Sequence, residues 1–277
     1  MKRVSILALI LVALILPVVA GAAKAPWEVE LPFKEATINY EISGMESGQE
    51  LLYIRKHGKE TARYRSTSTS MLGMSMKNET VEIMTPDWIY LFDLQEGSGT
   101  KSINPQKLML EEFNKLSAAD KKKVQENGEK MGAAAMSGMQ GSVEENAKEI
   151  LGYSCDRASM MGTTVYTIHA TPIALLTESN MMGINIKSVA TAIDKGSVAD
   201  KHFTFPDGIE PQPDPEADRL ARMMARQSIE MLKDPQAYQQ NNKGMMGAPP
   251  GQQQDIPEED QKQMEEAMKA LKGLFGN

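Results

Sequence analysis

Three pieces of residues 150–210 decide the fold: ILGYSCDRASMMGTTVYTIHATP (150–172), INIKSVATAID (184–194) and HFTFPDGIE (202–210). Gly152 leads into a strand that holds the chain's only cysteine, Cys155. Met160-Met161-Gly162 makes a tight turn, residues 163–168 alternate strongly, and 184–194 read as a further strand. Phe205-Pro206-Asp207-Gly208 then stops the run. The stretch reads as the returning half of an antiparallel sheet whose other half lies earlier in the chain.

That earlier half is legible from Ala36. Ile38, Tyr40 and Ile42 share one face, while Thr37, Asn39, Glu41 and Ser43 share the other, as in a half-buried strand. Residues 44–48 form a turn, 51–57 a second strand, and Gly58-Lys59 a hairpin connection. The returning strand 60–69 carries Ala62, Tyr64, Ser66 and Ser68 on one side, with Arg63, Arg65, Thr67 and Thr69 on the other. Residues 71–76, 78–85, 88–94 and 98–103 follow, with Pro86-Asp87 as one of the turns. Short consecutive strands joined by short turns predict an antiparallel meander.

The pattern then changes. Asn104-Pro105 opens a helical stretch with Met109, Phe113 and Leu116 at i, i+4 and i+7. Ser117 is an N-cap for a second helix reaching about residue 131, and 133–141 is small and rich in glycine. Ser142-x-x-Glu145 reads as the capping box of a short helix ending at Gly152. Helices thus interrupt the sheet over about residues 105–150. Pro211, Pro213 and Pro215 mark a linker. Residues 216–233 read as a helix with Leu220, Met224 and Met231 on one stripe, and Ala221, Ala225 and Leu232 beside it. Residues 238–256 have the Gln/Asn/Gly/Pro composition of a disordered connector. A last helix from Pro257 carries Met264, Met268, Leu271 and Phe275 on its apolar face. The expected division is 1–22, 26–212 and 213–277.

Lys2 and Arg3 precede an apolar run over residues 4–19, and Ala20-Gly21-Ala22 supplies a small-x-small cleavage pattern. This predicts a secretory signal peptide over 1–22 and an exported, soluble, periplasmic protein. No cysteine lies near the cleavage site, so an acylated lipoprotein is not expected, nor is a transmembrane segment in the mature chain. The net charge of −7 becomes more negative once Lys2 and Arg3 are removed, which disfavours nucleic acid and anionic membrane surfaces. A single cysteine makes no internal disulfide, so stability must come from a core.

The chemistry is quiet. His57, His169 and His202 are far apart in sequence, and no Gly-x-Ser-x-Gly, His-Glu-x-x-His or phosphate-loop motif occurs. Neither an enzyme nor a cofactor is expected. Cys155 stands beside Asp156, which opposes thiolate formation, so it reads as a small buried residue. Arg63, Arg65 and Lys56 make a basic patch that suits the solvated face of a hairpin. The 21 methionines are the unusual feature. Met71, Met74 and Met76 form M-x-x-M-x-M, and Met-Met-Gly recurs at 160–162, 181–183 and 245–247. Thioethers suit Cu(I), and flexible methionines equally suit a surface that adapts to apolar partners.

Trp88 to Asp93 (WIYLFD), Gly152-Tyr153-Ser154-Cys155 and the FTFPDG of residues 203–208 occur in an order that resembles a known group. These are exported bacterial proteins of unknown function next to the LolA/LppX lipoprotein-carrier superfamily. The likeness spans roughly residues 33–210 and leaves out the C-terminal helices. It implies an α+β fold, a curved antiparallel half-barrel with mid-chain helices over its concave face. In the better-known relatives that cavity holds acyl chains. The lining expected here is Ile38, Tyr40, Ile42, Ile89, Leu91, Met109, Phe113, Leu116, Val165 and Ile168. The expected function is non-catalytic binding of a hydrophobic ligand or a lipidated envelope partner. The alternatives are Cu(I) binding through Met71, Met74 and Met76, or a structural envelope factor that interacts through its C-terminal helices.

Overall fold

The alternation that starts at Ala36 is realised in β1 (Ala36–Gly44), which buries Ala36, Ile38, Tyr40 and Ile42 on one face. The computed structural model describes residues 25–71, 74–138, 141–181 and 184–237. The expected signal peptide, the 238–256 connector and the last helix lie outside the described residues. A first meander continues with β2 (Glu46–Arg55), β3 (Glu60–Met71), β4 (Met74–Met84), β5 (Trp88–Asp93) and β6 (Ser98–Ile103). Two helices follow, α1 (Pro105–Asn114) and α2 (Ala118–Gly138). A second meander comprises β7 (Ser142–Ile150), β8 (Tyr153–Met160), β9 (Thr163–Ile168), β10 (Ala174–Met181) and β11 (Ile184–Asp194).

The two meanders join where β1 pairs with β11, Ile38 opposite Ile193 and Tyr40 opposite Ala190. Ser43 and Lys187 continue the seam towards the chain turns. With β12 (Gln212–Pro213) added parallel to β6, the result is one open sheet of 12 strands. Its order is β12-β6-β5-β4-β3-β2-β1-β11-β10-β9-β8-β7, and every other pairing is antiparallel. The fold is α+β, and the meander and its returning half are as the sequence implies.

Register sorts the side chains onto two faces, and the buried face changes across the sheet. On one face Ile38 and Tyr40 of β1 and Leu52 and Ile54 of β2 pack with Leu31, Phe33, Cys155, Ile168 and Leu175. On the other face Ala62 of β3, Val81 and Ile83 of β4 and Phe92 of β5 form a second core. Residues 195–211 cover that second core as a strap running from β11 to β12. Phe203 and Ile209 pack into it, Phe205 lies 5.3 Å from the Phe92 ring, and the Tyr64 hydroxyl donates to the His202 carbonyl at 3.0 Å. This is what the FTFPDG segment does: it supplies the aromatic side chains that close the first meander.

The helices build their own core. Trp27 meets Phe113 edge-on at 5.5 Å, with Val124, Ile229 and Leu232 around them. Where the sequence suggests a proline linker, Gln212 and Pro213 pair with β6 and Asp214 caps α3 (Pro215–Lys233), accepting from Ala217 N at 2.8 Å. Asp218 of α3 then accepts from Ile103 N at 2.7 Å. Helix α3 buries Ala221, Ala225, Ile229 and Leu232 and exposes Leu220 and Met224, so this face, and not the expected Leu220–Met224–Met231 stripe, makes the contact. Residues 213–235 therefore fold with the sheet, within the compact unit that ends at Pro235.

The helix expected over 142–152 is strand β7, and α2 continues through 133–138, so the helical insertion ends at Gly138 and not near 150. Leu151 and Gly152 both have positive φ (51° and 79°), the geometry of a two-residue hairpin turn that pairs Ile150 with Tyr153. Pairing with β8 outweighs the local capping signal. β7 is an edge strand, and it carries Glu144, Glu145, Lys148 and Glu149 together with a bulge, both common protections of an unpaired edge. Asp156, only 1% exposed, pins the bulge. It accepts from Asn146 N at 2.9 Å, His169 Nδ1 at 2.8 Å and Ala170 N at 3.2 Å. Burial pushes its pKa up, but the bonds from His169 and the two backbone amides outweigh this and hold it below the ordinary 3.8.

A depressed carboxyl pKa adds stability that is complete above the unfolded-state value and fades as pH falls towards the folded-state one. Asp156→Asn is therefore expected to cost about 1–3 kcal/mol at neutral pH. In denaturant titrations the gap to wild type should narrow as pH falls below 3.8. At the β8–β9 turn, Gly162 has φ 80° and an added Cβ would sit 2.4 Å from the Asn180 carbonyl oxygen. Gly162→Ala is expected to destabilise by about 1–3 kcal/mol in the same assay.

Candidate functional site

The residues expected to line an acyl cavity fall into separate places. Ile38, Tyr40 and Ile168 come together in the core between the meanders, and Ile42 is buried on the same face of β1. The Tyr40 hydroxyl donates to the Ala174 carbonyl at 2.9 Å, and burial raises its pKa. Met109, Phe113 and Leu116 come together in the helical core with Trp27. Ile89 and Leu91 lie on the face of β5 opposite Phe92, and Leu91 is exposed. Val165 is partly buried on β9. The two buried sets pack against protein side chains in different clusters.

The reactive groups are also accounted for locally. Cys155 is fully buried, its Sγ 3.4 Å from the Tyr153 carbonyl it donates to, and burial pushes its thiol pKa up. His57 Nδ1 lies 3.1 Å from the Leu31 carbonyl, and His202 stacks on Tyr53 at 3.8 Å. Burial, with Lys201 nearby, lowers the His202 pKa. His169 serves the Asp156 clamp, a partnership across 13 residues that no sequence motif announces. The Ser154 hydroxyl donates to Asn146 Oδ1 at 2.6 Å. Among the described residues no group of three or more His, Cys, Asp or Glu is placed to hold a metal.

Carboxylates neutralise the basic patch. Glu50, 4% exposed, accepts from Arg63 at 2.7 Å and Arg65 at 3.3 Å, and Arg65 also reaches Glu46 at 2.7 Å. Lys56 stands apart, paired with Glu60 at 2.6 Å. The arginines belong to a charge-balanced lattice on the same face as Ile38 and Leu52, one strand-step outward from the apolar core.

Further out along that face come the methionines. The β1–β2, β3–β4, β8–β9 and β10–β11 turns all lie at one end of the sheet, because successive strands alternate in direction. The M-x-x-M-x-M motif and two Met-Met-Gly motifs occupy or flank three of these turns, and Met45 occupies the fourth. Register runs Glu46–Thr69–Met76 across β2, β3 and β4. On the other side of the seam it runs Gly44–Ile186–Ser179–Thr163–Met160 across β1, β11, β10, β9 and β8. Met181 pairs with Ile184 one step beyond, and Val143 and Leu91 fall on the same face nearer the two edges. Met76 is 71% exposed, and Leu91, Val143, Met181 and Ile184 are between 40% and 45% exposed. Met161, at the turn itself, is 68% exposed. Met76, Val143, Met181 and Ile184 thus form an exposed apolar margin along one face at the turn end, while Leu91, level with Glu82, Arg63 and Leu52, lies on the same face away from that end. The methionine repeats were visible in the sequence, but only strand register shows that they share an end.

Two of the open clefts bear on this end of the sheet and on the strap. One of about 410 Å³ lies at the turn end itself, lined by residues including Ser43, Gly44, Gly162, Thr164, Asn180 and Ile186. The other, about 650 Å³, lies between Tyr90, Lys101, Phe205, Ile209 and Pro211. Lys101 is held 3.8 Å over the Trp88 ring there.

No protein-family model matches the chain, and no curated protein matches it. Among solved structures it is similar to an uncharacterized conserved protein from Thermus thermophilus, at 7% identity and a TM-score of 0.38, over 66% of this chain and 92% of that one. It is also similar to PNGF-II, at 12% identity and a TM-score of 0.32, over 70% of this chain and 33% of that one. The likeness to lipoprotein carriers rests on the sequence motifs alone. Among the described residues no helix is long and apolar enough to cross a membrane.

Because Met76 and Met181 are largely exposed, Met76→Ser and Met181→Ser are expected to change folding stability by no more than about 0.5 kcal/mol. Thermal melts check this, and a clear loss of stability would mean that these side chains serve the core.

Proposed function

We propose that the chain is a non-catalytic binding protein of the bacterial envelope, exported to the periplasm by residues 1–22. It takes a hydrophobic ligand, an acyl chain or lipid, or the acyl group of a lipidated partner. In this reading the open sheet is curved as a half-barrel of the lipoprotein-carrier kind. The single observation that supports it is the row of exposed apolar side chains, Met76, Ile184, Met181 and Val143, on one face of the sheet at the turn end. Exposed apolar side chains aligned in this way commonly mark a binding surface. Each buried methylene contributes about 0.8 kcal/mol, so contact along several methylenes suffices for binding without any charged or catalytic group. Methionine suits the task because its flexible thioether adapts to chains of different shape. The acyl site is thus assigned to the margin and not to the apolar strand and helix faces expected to line a cavity. The C-terminal helical extension has no assigned part in it.

Native mass spectrometry of protein purified from its host tests the reading. A co-purifying lipid is expected, and it should be lost in a Met76→Ser/Met181→Ser variant that still melts as wild type does. A protein that carries no lipid and takes up no fluorescent fatty acid would refute the proposal.

A further inference from the structure

We infer that the cleft between β5, β6 and the end of the strap binds a sugar acid, a pyranose that carries one carboxylate. The cleft, about 650 Å³, joins the apolar walls of Tyr90, Phe205, Ile209 and Pro211 to two charged side chains, Lys101 and Glu210. Such a combination of apolar walls with a few polar groups is the usual make-up of a small-molecule site. The lysine carries the argument. Its Nζ lies 3.8 Å from the centre of the Trp88 ring and 5.8 Å from that of Tyr90. Among the described residues no carboxylate forms an ion pair with it, although Lys77 and Lys187 on other strands each have one. The acids of the neighbouring elements are committed elsewhere: Asp87 to Lys107 at 2.6 Å, Asp214 to Ala217 N at 2.8 Å and Asp218 to Ile103 N at 2.7 Å. An ammonium resting on ring faces keeps N–H donors for a carboxylate that a ligand brings.

Glu210 decides what else the ligand must carry. An ionised carboxylate only accepts hydrogen bonds, and it repels a bare anion. A ligand with hydroxyl donors beside its own carboxylate satisfies both Lys101 and Glu210, whereas an aromatic acid of similar size satisfies Lys101 alone. The walls suit the same choice. Phe205 packs on Tyr90 at 4.7 Å yet remains 44% exposed, so part of its apolar surface is open to a ligand. The negative face of an aromatic ring attracts the C–H bonds that line one side of a pyranose. The net charge of −7 narrows the class further, since a dense polyanion is repelled and a single carboxylate on an otherwise neutral sugar is not. Binding needs no chemistry beyond these contacts.

This inference does not rest on the acyl-ligand reading. Tyr90 pairs with Ile83 and Lys101, so the cleft lies on the face of the strap's core, opposite Leu91 and Met76. Calorimetric titration of the full chain with a methyl glucuronoside tests it, with methyl glucoside and benzoate as controls. Wild type is expected to bind the glucuronoside, and each control at least about tenfold more weakly. Lys101→Met should weaken glucuronoside binding by about tenfold or more, and Lys101→Arg should retain it. Backbone amide spectra of wild type give a second readout that needs no variant, with shifts expected at Trp88, Tyr90, Lys101, Phe205 and Ile209. No binding by wild type, equal binding of the glucoside, tighter binding of benzoate, undiminished binding by Lys101→Met, or shifts confined to other residues would each overturn the site. Absence of fatty-acid uptake by wild type with glucuronoside binding intact would count against the proposed function alone.

Discussion

The pairing of β1 with β11 is the constraint on which the rest of the structure depends. It runs from Thr37 opposite Asp194 to Gly44 opposite Ile186, with a shift in register between Asn39 and Tyr40. Without it the chain would hold two meanders, each with an unpaired strand and half a core. With it, Ile38 and Tyr40 meet Ala190, Leu175 and Cys155, and the largest buried cluster is complete. The pairing also brings the methionine turns of both meanders to one end in one register. Such a contact closes a loop of roughly 150 residues, so it is entropically costly to form and is expected to form late.

A second constraint follows from the exchange of buried faces between β2 and β3. A meander whose strands all turned the same face inward would need only one covering layer. Here Leu52 and Ile54 look one way into the shared core, while Ala62, Val81, Ile83 and Phe92 look the other way and need separate cover. The strap 195–211 provides it. The Arg55 guanidinium lies 3.7 Å over the Phe203 ring and also pairs with Asp200, tying the strap to β2. The face left open opposite that second core is where Leu91 and Met76 emerge.

Much of this was legible in the residues themselves. Period-two alternation located β1, β3 and β9, while β10 went unread between the strands at 163–168 and 184–194, and Asn104-Pro105 marks the start of α1, where Asn104 Oδ1 accepts from Gln106 N at 2.9 Å. What failed were the places where local chemistry competes with distant contacts. Ser142 and Glu145 have the spacing of a capping box, yet the Leu151-Gly152 turn and the Asp156 clamp draw them into an edge strand. The prolines at 211–215 read as a linker because pairing with β6 and capping by Asp214 are invisible in composition. The candidate lining was chosen by apolar character alone, which does not tell a side chain facing a ligand from one facing another side chain. Tyr40 and Phe113 are buried against other side chains, whereas Leu91 and Met76 are exposed. The methionine pattern was read with both of its meanings, and the structure contributes what spacing lacks, a common end and a common face.

The strap has a consequence for the order in which the protein is made. Its residues lie about a hundred positions beyond the strands they cover, so β1–β6 leave the ribosome long before Phe203, Phe205 and Ile209 exist to shield them. Through that interval Val81, Ile83 and Phe92 present an apolar strip on paired or partly paired strands, the kind of surface that chaperones hold and that neighbouring chains capture. The first-made half of the molecule is thus finished by nearly the last-made part of its sheet. Premature termination anywhere before residue 203 should release a chain that is sticky, and not merely one that is short.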